Sequence, residues 1–159
     1  MADAAHVIGL ISDTHGLLRP AVFDALAGVE LILHAGDVGG GNILAKLATV
    51  APVLAVYGNT DPVGAAGLAA ERVVTVGGVS VHVSHGHEVG RPTPERLLAA
   101  YPQDVLVYGH THRQLVARAA DGRLVVNPGA AGARRFDLVP CVARLTIAAG
   151  AAEVALVEL

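Results

Sequence analysis

A single cysteine, Cys141, excludes an internal disulfide, and its neighbours in LVPCVARLTI mark it as a small buried hydrophobe. Charge is equally scarce. Asp, Glu, Lys and Arg make up 16% of 159 residues, the net charge is −3, and no block of like charges occurs. A nucleic-acid groove and a basic membrane patch are therefore not expected. No apolar run reaches the ~20 residues that span a bilayer. The start, MADAAHVIGLISDTHG, has an acid and no Lys or Arg before its apolar stretch, unlike a secretory signal. A leaderless cytoplasmic protein is expected. The G-x-G-x-x-G loop of a dinucleotide-binding domain is missing after the first apolar segment. Disorder is excluded by a hydrophobic content of 53%. The length fits one domain, residues 1–159, able to bury roughly 68–70% of its unfolded surface.

Histidine is what the chain has in quantity: eight, against two Phe and no Trp. Five apolar segments read as strands: HVIGLIS, ELILHAG, VLAVYG, VSVHVS and DVLVYG. They lead into Asp13-Thr14-His15, Asp37, Asn59, His85 and His110-Thr111-His112 respectively. On a helix, residues i and i+2 diverge, whereas on extended backbone they face the same way. His110 and His112, if they act together, are thus expected at a strand end. Ligands of open α/β sheets gather at the carboxyl ends of strands. Singly, an Asp or Asn there closes a turn on its own backbone, and a lone His in an apolar context is a core residue. Seven oxygen and nitrogen donors at five strand ends are more than independent turns explain.

Helical stretches lie between the strands. RPAVFDALAG has Pro at its first turn and a Gly stop, and GNILAKLATV ends before Pro52. TPERLLAAYP opens with Thr93 as N-cap and Pro94 at the first position. This alternation implies parallel βαβ units. The second half reads as hairpins around Gly77-Gly78, Asp121-Gly122 and Gly150. The expected fold is α/β, two packed mixed β-sheets flanked by helices, without repeat or linker.

DTH, GD, GN, SHGH and GHTH, in that order, resemble the calcineurin-like metallophosphoesterase superfamily. The short length and the later NPG resemble its small bacterial and archaeal phosphodiesterase branch, also similar to the retromer scaffold subunit of the same fold. The resemblance implies a four-layer α-β-β-α fold and a binuclear-metal-dependent phosphoesterase. Its substrates would be phosphodiesters, phosphomonoesters or both, with a metal-bridging hydroxide as nucleophile. The alternative is a catalytically weak or idle interaction scaffold; retention of all seven donors favours the enzyme. Carried over by motif, Asp13, His15 and His112 go to a first metal and Asn59, His85 and His110 to a second, with Asp37 bridging. Two divalent ions, two carboxylates and a hydroxide leave one positive charge to attract a phosphate. Imidazole and carboxylate donors without cysteine suit manganese, with Fe, Zn, Ni or Co as alternatives, better than calcium or a structural zinc. The expected partner is a small phosphate-ester substrate, neither nucleic acid nor membrane, and a homo-oligomer is left open. Short Gly- and Ala-rich loops (GDVGGGN, DPVGAAGLAA) offer few side chains to select that substrate.

Asp37, Asn59 and His87 are the candidate catalytic residues. The Asn59 carbonyl can bind a metal while its NH₂ donates to a phosphoryl oxygen, which an Asp could not do. His87 follows His85 at i+2 and so is expected to face the site. His34 is either a core residue or a support behind the site, His82 is structural, and His6 lies at the surface. Arg19, Arg113, Arg134 and Arg135 read as solvated, although each stands near a motif end. In Asn127-Pro128-Gly129 the family's following Ser is replaced by Ala130. Many members of the superfamily carry a His after the Asn of GN, where this chain has Thr60 followed by Asp61. Threonine is no general acid near neutral pH, so activated aryl esters should be preferred unless His87 replaces the acid. Asp61 could orient a ring placed at position 60.

Overall fold

Strands and short helices alternate through the first half: β1 (His6–Ile11), α1 (Ala21–Ala25), β2 (Leu31–His34), α2 (Ile43–Leu47), β3 (Val53–Val56) and β4 (Leu68–Ala69). The computed structural model describes residues 4–135 and 137–159; residues 1–3, part of the start read above as leaderless, lie outside them. β1 to β4 run parallel, as the alternation implies. β5 (Glu71–Val76), β6 (Val79–Ser84), α3 (Pro94–Ala100), β7 (Val105–Val107), β8 (Leu115–Arg118) and β9 (Leu124–Asn127) follow, and then β10 (Cys141–Ala148) and β11 (Ala151–Glu158). β10 and β11 return to the first sheet, whose order is β11-β10-β1-β2-β3-β4; the second is β5-β6-β7-β9-β8. Both sheets are mixed.

Period-two alternation decides what each strand buries. Ile8, Leu10, Leu33 and Val56 point from the first sheet towards Val81, Val83, Val105, Val107 and Val126 of the second. Their neighbours face outward. Ile11 and Ile32 pack on Val22 and Leu26 of the α1 region and on Ile43 and Leu47 of α2. Leu106 and Val125 pack on Leu97 of α3. The result is four layers, α-β-β-α. Each of these side chains is nearly or fully buried, which stabilises by about 1.5–3 kcal/mol relative to exposure.

Turn chemistry is local and follows the sequence. Gly77 and Gly78 both have positive φ (55° and 80°) between paired Val76 and Val79, as a two-residue primed turn requires. Thr93 Oγ1 accepts from the Arg96 backbone N–H at 3.2 Å, capping α3. The helices are shorter than their sequence stretches. α1 and α2 are five residues each, with Pro20 and a left-handed Asn42 before them and no side-chain cap. Packing, not propensity, defines their length. β4, two residues within a segment read as loop, was not anticipated. Among the described residues no helix is long and apolar enough to cross a membrane.

Candidate metal centre

The loops leaving β1, β2, β3, β6 and β7 meet where the two sheets' carboxyl ends adjoin. Asp13 N bonds Gly36 O, His15 N bonds Asp37 O and Gly109 N bonds His85 O, all at 3.0 Å. Seven non-glycine residues have positive φ among those described, and five are Asp13, His15, Asp37, His110 and His112. Left-handed backbone costs roughly 1–2 kcal/mol per residue, so the strain is concentrated on the predicted donors. This corrects the expectation of an extended strand end for the two imidazoles. β7 stops at Val107, and His110 (φ 71°) and His112 (φ 62°) are each left-handed, in a loop that coils back over the sheet. The coil brings the two rings to neighbouring groups. Close approach also needs glycine: a Cβ on Gly109 would overlap Ser12 Oγ, and one on Gly58 would overlap Asp37 Oδ1.

Several of the donors use one polar atom for anchorage and leave another facing the centre. Asp13 Oδ2 accepts from Ser12 Oγ at 2.6 Å and from His110 N at 3.1 Å, freeing Oδ1. Asp37 Oδ1 accepts from Thr60 N at 2.9 Å, freeing Oδ2. His85 Nδ1 donates to Ala35 O at 2.8 Å, freeing Nε2. Around Asp13 Oδ1 stand His112 Nε2 at 3.3 Å and His15 Nε2 at 3.8 Å. Asn59 Oδ1 is 3.0 Å from both His85 Nε2 and His110 Nδ1. Asp37 Oδ2 reaches both sides, 3.6 Å from His15 Nε2 and 3.3 Å from His85 Nε2. The seven predicted donors are thus brought together in one cluster, with Asp37 Oδ2 near both His15 and His85.

A cation fits this set. Asp13 Oδ1 and His15 Nε2 are buried without a hydrogen-bond partner, a costly arrangement unless something positive lies between them. Donors ~2.0–2.2 Å from a common ion stand roughly 3–3.5 Å apart, close to the shorter separations here. Asp13 with His15 and His112, and Asp13 with Asp37 and His85, form groups compact enough to hold an ion. Electrostatics agree. Burial opposes ionisation of Asp13 and Asp37, but His112, His85 and Ser12 around the first and His85 and the Thr60 N–H around the second outweigh it, lowering both. Burial likewise disfavours His85 protonation, yet Asp37 and Asp13 raise it. Burial, then the charge of His85, lowers His110.

The remaining polar residues divide clearly. His34, fully buried, meets Thr14 Oγ1 with Nε2 at 3.0 Å and accepts from Gly36 N with Nδ1 at 3.1 Å. It is a core residue and a support at once, bracing the residue between Asp13 and His15. His82 stacks on Tyr101 at 3.8 Å and meets Glu71 at 2.6 Å, away from the centre. His6 meets Glu30 at 2.7 Å, partly exposed. Arg19 is tied to Gly132 O at 3.0 Å, while Arg113, Arg134 and Arg135 are exposed. His87 begins a 3-10 turn (His87–Val89), its ring 5.3 Å from that of His85 and 6.3 Å from that of His110. It stands at the margin of the cluster. Asp61 has a role the sequence does not mark: its carboxylate accepts from Val38 N (3.0 Å), Gly39 N (3.1 Å) and Gly58 N (2.9 Å), so it clamps two loops and keeps about one acceptor site for a ring at position 60. Asn127 was quoted only as a turn. Its Nδ2 donates to Gly109 O at 3.1 Å and Thr111 Oγ1 at 3.0 Å, holding the GHTH loop. No signal beyond NPG marked that role, because both partners are remote in sequence.

A four-layer α-β-β-α sandwich with His, Asp and Asn gathered on its strand ends has the layout of a phosphoesterase. The calcineurin-like phosphoesterase superfamily domain matches residues 7–150, and the chain belongs to that family. A probable metallophosphoesterase of Methanothermobacter thermautotrophicus is 36% identical over 148 residues, 88% of this chain and 80% of the relative. A phosphodiesterase of Methanocaldococcus jannaschii is 28% identical over 140 residues, 77% of this chain and 82% of the other. Among solved structures, Entamoeba histolytica Vps29 in complex with zinc superposes with a TM-score of 0.76 at 24% identity, over 96% of this chain and 98% of that one. The Vps29 likeness speaks for the fold alone.

Proposed function

We propose that this chain hydrolyses phosphate diesters or monoesters at two divalent transition-metal ions. Asp13, His15 and His112 would hold one ion, Asn59, His85 and His110 the other, and Asp37 would stand between them. The observation that carries this reading is the pair of buried, partnerless donor atoms on Asp13 and His15 within one convergent cluster. When bound, such ions supply Lewis-acid stabilisation of phosphoryl charge and lower the pKa of water. The chain's own residues do the rest. Asn59, with its carbonyl turned to the imidazoles, keeps an exposed NH₂ to donate to a phosphoryl oxygen. His87, at the margin with its ring 6.3 Å from that of His110, would supply the proton to the leaving group. Manganese is the proposed metal, with Fe, Zn, Ni or Co as alternatives on the same donors.

A second reading, an idle scaffold of this fold, draws on the likeness to Vps29. Metal binding does not separate the two, since the Entamoeba protein was solved with zinc. Turnover does. Chelator-treated protein should be inactive on bis(4-nitrophenyl) phosphate and recover with Mn²⁺, at a stoichiometry of two. Asp37→Ala should lose both ions, His112→Ala chiefly one. Two ions retained in Asp37→Ala would overturn the bridge; two ions bound with no turnover of any ester would favour the scaffold.

A further inference from the structure

We propose that the cleft beside His110 receives the organic part of the substrate, and that it selects phosphate esters whose organic group is an apolar body carrying a second anion. The proposal rests on the phosphoesterase reading and deepens it. The cleft holds about 470 Å³, within the ~300–1,000 Å³ typical of small-molecule sites. It opens between the segment entering α3 and the GHTH loop, so that His110 lines both the cleft and the metal centre. A phosphoryl group at the centre would direct its substituent into it.

The lining explains what that substituent would be. Pro92, Pro94, Tyr108 and Leu115 supply apolar walls, and Arg91 and Arg113 supply charge; no carboxylate takes part. Six other arginines are anchored: Arg19, Arg72, Arg96, Arg118, Arg123 and Arg144 each donate to backbone carbonyls. Arg91 and Arg113 are exposed, and among the described residues neither guanidinium has an ion pair or hydrogen bond. Thr111 adds a hydroxyl of unusual availability. Its Oγ1 already accepts from Asn127 Nδ2 at 3.0 Å and from Arg113 N at 3.3 Å, leaving the O–H to donate outward. Two free guanidinium groups and a donor hydroxyl over apolar walls form a receptor for an anion on an apolar body. A larger cleft of about 720 Å³ at Asp104 and Asp121 lacks this character, because its Arg118 and Arg123 are already bonded to Ala152 O and to Asp121.

The test compares 4-carboxyphenyl phosphate with 4-carbamoylphenyl phosphate, nearly equal in size and differing in charge, on the Mn²⁺-loaded protein. The matching phosphonates are titrated calorimetrically, which needs no turnover. KM and the phosphonate Kd should be about tenfold lower for the carboxylate. In Arg91→Ala/Arg113→Ala that preference should vanish, for KM and for the phosphonate Kd alike. Equal handling of both esters by wild type, or a preference that survives the double substitution, would overturn the subsite while leaving the phosphoesterase reading intact. Hydrolysis of neither ester, with the carboxyl phosphonate still bound more tightly and the preference lost in the double variant, would uphold the cleft and count against monoester hydrolysis.

Discussion

Thr60 and His87 present the sharpest question at the level of single residues. Thr60, next to Asn59, carries a hydroxyl that is no general acid near neutral pH. A ring introduced there would find about three of the four acceptor sites of Asp61 taken by backbone N–H groups. Thr60→His should therefore change the rate profile little. The His87 ring lies 6.4 Å from that of Tyr57 and 5.3 Å from that of His85. General acid catalysis contributes roughly 10²–10⁴-fold and matters most for basic leaving groups. Plotted against leaving-group pKa, wild-type rates should fall gently, and His87→Ala should fall steeply, losing about 10²-fold or more on alkyl esters and little on nitrophenyl esters. An unchanged slope in His87→Ala would remove His87 from the mechanism.

The element that matters most at the next scale is the loop between β7 and β8. It presents His110 and His112 in left-handed backbone, held from the end of β9 by Asn127. Asn127 is fully buried, so Asn127→Ala would remove one of two donors from the Thr111 hydroxyl and from the Gly109 carbonyl, which keep Arg113 N and Thr111 N. Each lost hydrogen bond costs about 0.5–1.5 kcal/mol. Loss of an orienting partner behind metal ligands typically costs 10–100-fold in affinity. Mn²⁺ titration of Asn127→Ala should show a weakening in that range, and full affinity in the variant would mean that the loop holds its shape without the side chain. The loops after β2 and β3 depend on Asp61 in the same way.

Over the whole molecule, buried histidine makes stability depend on pH. Burial pushes His34 down to about 4 from an ordinary 6.5. The unfolded chain therefore binds a proton that the folded one refuses between these values. The His34 contribution is complete above about pH 6.5 and falls as pH drops towards 4, by about 3 kcal/mol. His110, also lowered, acts in the same direction. The lowered Asp13 and Asp37 lose their contribution only below the ordinary carboxylate range, and the raised His85 acts above pH 6.5. Urea titration of chelator-treated protein from pH 7.5 to 4 should show the decline, and His34→Gln should flatten it. Parallel slopes in the two proteins would place the acid sensitivity elsewhere.

What could be read from the chain alone was whatever local chemistry dictates. Apolar runs ending in Asp, Asn or His marked the strands and their carboxyl ends. Gly77-Gly78 and Thr93-Pro94 marked a turn and a cap, because turns and caps form between near neighbours. The motif order picked out the polar side chains that the fold gathers in one cluster. Tertiary structure decided everything that depends on partners distant in sequence. It alone revealed that Asp13, Asp37 and His85 each commit one polar atom to anchorage, and so which atom is left for a metal. It made Asp61 a clamp across loops 23 positions apart, and turned Asn127 from a turn residue into a brace. It coiled His110 and His112 into left-handed backbone where strand alternation had seemed to serve. It also assembled a cleft from Arg91 and Arg113, 22 positions apart and unremarkable singly. Spacing along a chain encodes the hydrogen bonds of turns and the faces of strands; the bonds that aim a side chain are made only when separate loops meet.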